Sequence, residues 1–566
     1  MSAASRRAWP LGLGLLLLVA LGVRLWGIDH GLPFVYNADE NAHFVPQAIG
    51  MFGHTYNPDY FINPPAYTYL LHVAFFLRFG DRSGVGDAYA ADPGTAFVLA
   101  RSVAAVLGTV AVGLLAWAGT RLLERRAALV AAALLALAFL PVHYAHLALN
   151  DVPTLAPLCL ALVGVGGVLA RGRPLDFALA GAGLGLACAT KYTGGIVLLS
   201  LLAAGAFAPV PGRRRVAGLA LAAVLAFVAF AIANPYALLD FGAFRDGLNE
   251  QSSASNDGGG KLGLINENGL GYYVSTLTWG LGWIPAVAAV GGAIVMALRD
   301  WRRALVLILP VLVFLVFMGS QDRFFARWLL RVYPYLCLLA AHGGVSAANW
   351  LGERLPRRPA SVWAGVAAGV VLCAQGAVFS VHNAQTLARQ DTRGVARDWM
   401  ERNVPEGAKV VIEPVVPDSW ATDPGSPSRV TGNGSRWVKW RTSRSRVEND
   451  GTVRKGPGRV VKLEDYERTL RPELVGAYAR GGFCWVLTGS TQRGRAEAEP
   501  QEVPQALRYY EALARAGKVA FTALPTEEAR PDNDFSFDFS FNAYPLPTTR
   551  PGPEIVIYRL GGEKCA

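Results

Sequence analysis

The sequence predicts an α-helical polytopic membrane protein with one small soluble α/β domain at its C-terminal end. Three observations predict it. Of the 566 residues, 52% are hydrophobic and only 17% are charged, an apolar share above that of soluble domains. The hydropathy is uneven: apolar spans crowd residues 9–381, while residues 389–566 have ordinary soluble composition. Finally, much of the arginine sits in short clusters between the spans, where basic residues orient a membrane protein. The net charge of +11 is therefore read as topology rather than as a nucleic-acid footprint. The expected domains are 1–388, transmembrane, and 389–566, soluble and extracytoplasmic.

Arg6 and Arg7 followed by a Leu-rich run resemble a signal peptide, but Trp9–Gly27 is long enough to cross a bilayer and no small-residue cleavage site follows. It reads as an uncleaved first helix that starts in the cytoplasm. The chain then emerges at Y-N-A-D-E-N-A-H-F, with Asp39 and Glu40 at the membrane surface. Residues 40–52 and 66–79 read as interfacial segments, the second too short to span.

That choice sets the orientation of everything downstream. If 66–79 does not cross, the clusters Arg121/Arg125/Arg126, Arg171/Arg173, Arg213–Arg215, Arg299/Arg302/Arg303 and Arg354/Arg357/Arg358 all fall in the cytoplasm. The predicted spans are 9–27, 96–120, 127–147, 152–170, 175–190, 193–210, 216–234, 271–298, 304–319, 327–346 and 361–381, about eleven at bilayer length. An odd number leaves the C-terminal domain outside.

In the soluble part, 391–413 reads as helix, Pro-Gly turn and strand. Similar helix-to-strand passages recur at 465–488 and 505–523, and P-E-I-V-I-Y-R-L closes as a strand. Residues 421–458 read as a long loop containing an Asn433-Gly434-Ser435 glycosylation pattern. The six cysteines show no metal-like spacing and no disulfide framework, although a Cys484–Cys565 bridge is open.

On this topology the chemistry-bearing side chains gather on the outer face. An enzyme that takes a sugar from a polyprenyl phosphate needs a carboxylate for the proton of the attacking hydroxyl. It also needs fixed cations for the phosphate and an apolar groove for the tail. Asp39, Glu40 and Asp151 are the candidate catalytic acids. Lys191, Arg323, Arg327 and Arg331 are the candidate phosphate ligands, the three arginines spaced for one helix face. Asn63, Pro64, Tyr67, His143 and His146 are candidates for the donor or acceptor pocket. The competing readings are bland: Asp39 or Asp151 as N-caps, Lys191 snorkelling, and His143/His146 as simple interfacial polarity. With Asp151 the two histidines could also hold a divalent ion.

The D-E pair, N-P-P-A-Y-T-Y, A-L-N-D-V-P-T-L-A-P, A-T-K-Y-T-G and R-W-L-L-R-V-Y-P-Y-L together resemble the GT-C glycosyltransferases of the protein O-mannosyltransferase and aminoarabinose-transferase type. The similarity runs in order over about residues 20–410. It implies Asp39 as the carboxylate that engages the acceptor, Glu40 as its support and Asp151 as the second-loop acid. It further implies an inverting transfer from a polyprenyl-phosphate sugar to a lipid, glycan or protein hydroxyl, without a required cofactor or metal, in the plasma (inner) membrane. One departure stands out: aminoarabinose transferases carry a lysine before the Pro-Pro, here Asn63. A flippase using the same acids as a proton relay is the main alternative, and it predicts acids buried mid-span in matching halves. A polysaccharide receptor is a second.

Overall fold

The structure, a computed structural model, describes residues 3–53, 55–256, 262, 268–321, 323–354, 358–422, 435–440, 445–447, 453–455, 466–528 and 545–565. The Asn433 glycosylation pattern and most of the 421–458 loop lie outside them. The chain is a multi-pass, mainly helical membrane protein with a small mixed sheet at its C-terminal end, as its composition predicts. Among the described residues, five helical stretches, Pro93–Leu122, Gly212–Ala233, Gly269–Arg299, Trp301–Gly319 and Gly365–Asn403, are long and apolar enough to cross a membrane by length and composition, the last joining helix Arg358–Leu387 to the soluble domain's first helix, Thr392–Asn403. Shorter apolar helices stand at Trp9–Leu25, Leu155–Ala170, Pro174–Thr190 and Tyr192–Ala206. The segments read as interfacial are helical: a π-helical turn Glu40–Phe44 leads into helix Val45–Gly50, and Ala66–Phe79 is one helix of 14 residues.

Two predicted spans are corrected. Residues 127–147 are not one helix; Arg125–Leu137 and Phe139–Tyr144 meet at a break at Ala138. Pro141 lacks the N–H that would bond to Leu137. The freed carbonyls are taken by side chains: Ser380 Oγ donates to Leu137 O at 2.9 Å, and the buried Arg24 donates to Ala136 O at 2.9 Å and Leu135 O at 3.0 Å. A guanidinium at the C-terminal end of a helix also meets the negative end of its dipole. The span 327–346 likewise divides. Ala326–Val332 is a 3-10 helix, and the α-helix runs from Tyr333 to Gly352.

The soluble domain is built on a five-stranded sheet of β1 (Lys409–Ile412), β2 (Val438–Lys439), β5 (Trp485–Gly489), β6 (Gly517–Ala523) and β7 (Ile555–Leu560). A separate hairpin pairs β3 (Ser445–Val447) with β4 (Val453–Lys455). The sheet order is β2-β1-β5-β7-β6, with β1 parallel to β2 and β5, and β7 antiparallel to β5 and β6. Alternation along the strands builds a core on each face. Val411 and Val486 face Tyr478, Tyr509 and Tyr510, while Val410 and Leu487 face Met400, Trp420 and Trp437.

Two residues from the membrane part complete these cores. Phe34, in the loop after the first helix, belongs to the second, and Leu262, in the loop before the helix at Gly269, belongs to the first. A Cys484–Cys565 disulfide closes the domain.

Candidate active site

Several chain segments come together at one set of helix ends. The first is Asn37–Glu40. Asn37 Oδ1 accepts the Glu40 N–H at 3.0 Å and so caps the turn. Asp39 makes no side-chain cap bond, which removes its N-cap reading. Its carboxylate, 41% exposed, instead accepts from Arg327 at 2.7 Å.

Glu40 points the other way and is fully buried. Arg101 grips it in a two-pronged fork, Nε to Oε1 at 2.7 Å and Nη2 to Oε2 at 2.9 Å, and the Ala148 N–H donates to Oε1 at 2.9 Å. Both carboxylate oxygens are thus occupied. Glu40 is closed off from solvent, and its bonds fix the turn that carries Asp39.

Arg101 was not among the sequence candidates. The available signal was a charge inside the apolar span 96–120, where ionised groups are rare and need partners. Its remaining amine donates to Ile28 O and His30 O, each at 2.9 Å, so one guanidinium ties the whole first loop to the helix Pro93–Leu122.

Asp151 lies in the turn before helix Leu155–Ala170 and so does not cap it directly. It is buried, and its Oδ1 accepts from Lys191 Nζ at 2.7 Å and Arg331 Nη2 at 2.8 Å. Burial opposes its charge, but Lys191, Arg331 and Arg327 outweigh that and hold the carboxyl below its ordinary range. Lys191 terminates helix Pro174–Thr190; burial and the facing Arg331 pull its ammonium down, with Asp151 working against them.

The arginines do not form one α-helical stripe, which corrects that expectation. Arg323 precedes the 3-10 helix Ala326–Val332, and Arg327 and Arg331 sit within it. They are joined differently: Arg331 donates to Arg327 O at 2.8 Å, and Arg323 and Arg327 lie 5.3 and 4.8 Å from the Phe325 ring centre. The 3-10 turn sends Arg327 to the outer acid and Arg331 to the inner one.

Of the five pocket candidates, only Asn63 joins this constellation. It donates to Tyr60 Oη at 3.1 Å and accepts from Asn150 at 3.4 Å, and Asn150 also donates to Thr190 O at 2.8 Å. Tyr60 stacks on His43 with ring centres 4.7 Å apart; both were unassigned in the sequence. Pro64 is buried beside the start of helix Ala66–Phe79, and buried Tyr67 donates to Ala100 O at 2.9 Å.

His143 and His146 are corrected as pocket residues. Both are buried; His143 Nδ1 meets Asn383 Oδ1 at 2.8 Å, and His146 bridges Val142 O and Trp26 O at 2.9 and 3.1 Å. Both contacts tie helix ends together. Among the described residues, no three His, Cys, Asp or Glu side chains converge as a metal site.

What the arrangement can do follows from its charges. One half-exposed carboxylate stands at the mouth beside a guanidinium. Beneath it a buried carboxylate holds an ammonium and a second guanidinium in fixed positions. The site offers a proton acceptor and several cationic side chains held in fixed positions.

Residues 94–238 match the family model described as dolichyl-phosphate-mannose-protein mannosyltransferase. No curated protein matches the chain. Among solved structures, the chain is similar to the oligosaccharyltransferase of Archaeoglobus fulgidus in its apo form, at 12% identity and a TM-score of 0.52, over 91% of this chain and 74% of that one. It also overlays ArnT from Cupriavidus metallidurans bound to undecaprenyl phosphate, at 14% identity and a TM-score of 0.49, over 100% of both chains. The first likeness shows a shared fold. Together with the family match it bears out the GT-C resemblance carried by the sequence motifs.

Proposed function

We propose that the protein is a membrane glycosyltransferase that moves a sugar from a polyprenyl-phosphate donor to an acceptor hydroxyl on the outer face of the plasma (inner) membrane. The observation that carries this reading is the pairing of half-exposed Asp39 with Arg327 above the buried Asp151–Lys191–Arg331 cluster. A fold alone does not assign chemistry; the reading is supported by this constellation of a carboxylate and fixed cations. The description of the family matched over residues 94–238 agrees with a phosphate-linked lipid donor.

In this reading Asp39 accepts the proton of the acceptor hydroxyl as its oxygen attacks the anomeric carbon. The bond from that carbon to the phosphate oxygen breaks on the opposite face, so the configuration inverts. The departing lipid phosphate gains charge, and Arg327, Lys191, Arg331 and Arg323 stabilise it from fixed positions. With Asn63 where related transferases have lysine, phosphate binding falls to this set. Because cations are supplied by side chains, no metal is required, and EDTA is expected to leave the rate unchanged. The Cys484–Cys565 bond supports an oxidising, extracytoplasmic location for the soluble domain, as does the run of basic turns on the opposite face.

The test uses purified protein with a panel of polyprenyl-phosphate sugars and crude envelope as acceptor, following release of polyprenyl phosphate. Wild type turns over one donor, and Asp39→Asn is expected to lose about 10²–10⁴-fold in rate while still binding the lipid. Equal rates in the two proteins would remove the catalytic assignment. Movement of labelled lipid across the bilayer without turnover would favour a flippase.

A further inference from the structure

A cavity of about 330 Å³ lies where the first external loop meets the soluble domain, between residues 29–36 and 387–398. Its rim carries Asp29, Arg389, Gln390 and Asp398, all exposed. Tyr36, Asp391 and Arg397 line it more deeply.

The cavity adjoins the catalytic turn through covalent and hydrogen-bonded links. Tyr36 precedes Asp39 by three residues. His30, also in the lining, gives its carbonyl to Arg101, the same guanidinium that grips Glu40. The soluble domain holds the other wall, with the Arg393 guanidinium 3.6 Å above the Tyr36 ring and Arg397 5.1 Å from that of Phe34.

The lining chemistry narrows the occupant. Asp29, Asp391 and Asp398 oppose Arg389 and Arg397, so the walls carry both signs in near balance. Most of these charges already have partners: Asp391 pairs with Arg393 at 2.7 Å, Arg397 donates to Trp420 O at 2.8 Å, and Asp398 accepts from Gln390 at 2.8 Å. A phosphate would meet three carboxylates. An apolar tail would strip water from all of the charges without replacing it. A hydroxyl-rich ring suits such walls, because each hydroxyl both donates and accepts and the aromatic side chains offer apolar contact. The volume is at the lower end of ligand pockets, which begin near ~300 Å³.

We propose that this cavity is a subsite for a neutral saccharide ring of the acceptor, held between the soluble domain and the loop that carries Asp39. The proposal rests on the transferase reading and assigns the soluble domain a task in acceptor recognition. It also makes the acceptor a glycan or glycolipid rather than a bare protein hydroxyl.

The test measures transfer to methyl α-mannoside, methyl β-glucoside, methyl α-arabinofuranoside and mannobiose, beside hydrolysis of the same donor by water. Gln390→Ala/Asp398→Ala removes two rim groups at exposed positions, and Asp398→Trp fills the mouth. Both variants are expected to raise the acceptor KM about tenfold or more, as for one or two lost hydrogen bonds, with donor KM and donor hydrolysis unchanged. An unchanged acceptor KM in both variants overturns the subsite while leaving the transferase standing.

If wild type turns over no donor, the transferase reading fails by itself. Saturation-transfer NMR of the same glycosides on the full chain in nanodiscs then decides the cavity separately. Signal in wild type that is lost in Asp398→Trp supports it, and no signal in wild type overturns it.

Discussion

At the scale of single residues, adjacent carboxylates have opposite fates. Asp39 and Glu40 are neighbours in sequence, yet one is half exposed beside Arg327 and the other is sealed against Arg101 with side-chain exposures of 0% and 2%. Breaking a buried ion pair leaves an uncompensated charge and costs about 3–5 kcal/mol. Glu40→Gln and Arg101→Met should therefore each lower thermal stability, and the double variant should be more stable than the sum of the two losses. Asp39→Asn should melt like wild type. Melting curves of wild type and the four variants in detergent check this.

Glu413 makes a pH prediction in the soluble domain. It is fully buried, accepts from Gly489 N–H at 2.9 Å and Tyr510 O–H at 3.0 Å, and burial pushes its carboxyl up to about 8. A carboxyl raised on folding binds more protons in the native state than in the unfolded one. Its contribution is complete below the unfolded value of ~4.3 and is lost as pH rises through about 8. The domain should lose stability across that window, and Glu413→Gln should flatten the profile of unfolding midpoint against pH.

At the scale of elements, the membrane part depends on helices that approach closely and on breaks whose carbonyls are answered. Helices Leu155–Ala170 and Pro174–Thr190 meet at Gly164, where an added Cβ would lie 2.7 Å from Ala180 Cα. Small residues at such crossings allow the backbones to touch. Gly164→Val should force these helices apart. Since one ends at Lys191 and the other begins just after Asp151, activity should fall along with stability, read as lower turnover together with an earlier melt.

The break at Ala138 illustrates what a hydropathy profile omits. The sequence shows Pro141 but not that Ser380 will cover the Leu137 carbonyl it frees, nor that Arg24 will cover those of Leu135 and Ala136 at the break. The same holds for the 3-10 turn at Ala326–Val332. Spacing of four suggested one helical face, whereas three residues per turn sends Arg327 and Arg331 to different acids.

At the scale of the whole molecule, the soluble domain is joined to the membrane part by more than its linker. Phe34 and Leu262, from two segments that flank membrane helices, are buried in its two cores at 8% and 1% exposure. This requires Phe34, Leu262 and the domain to share one side of the bilayer. Cysteines placed at opposite ends report that orientation. In intact cells an impermeant maleimide should label Glu511→Cys, on an exposed stretch of helix Pro504–Ala516, and should leave Arg213→Cys unlabelled until the membrane is permeabilised. The reverse pattern would invert the topology.

The sequence by itself determined the class of the molecule. Apolar length, basic turns and the change of composition near residue 389 set a polytopic membrane protein with a terminal α/β domain, because burial in lipid and alternation along strands are local, additive preferences. Ordered motifs singled out Asp39, Asp151, Lys191 and the arginines. Only the tertiary structure decided what each group does there. It paired Glu40 with Arg101, turned His143 and His146 inward as helix fasteners, buried Tyr67, and brought Asn63, Tyr60 and Asn150 into one chain of contacts. A side chain's role depends on which distant partner satisfies its hydrogen bonds and charge, and that partner is chosen by packing across the fold.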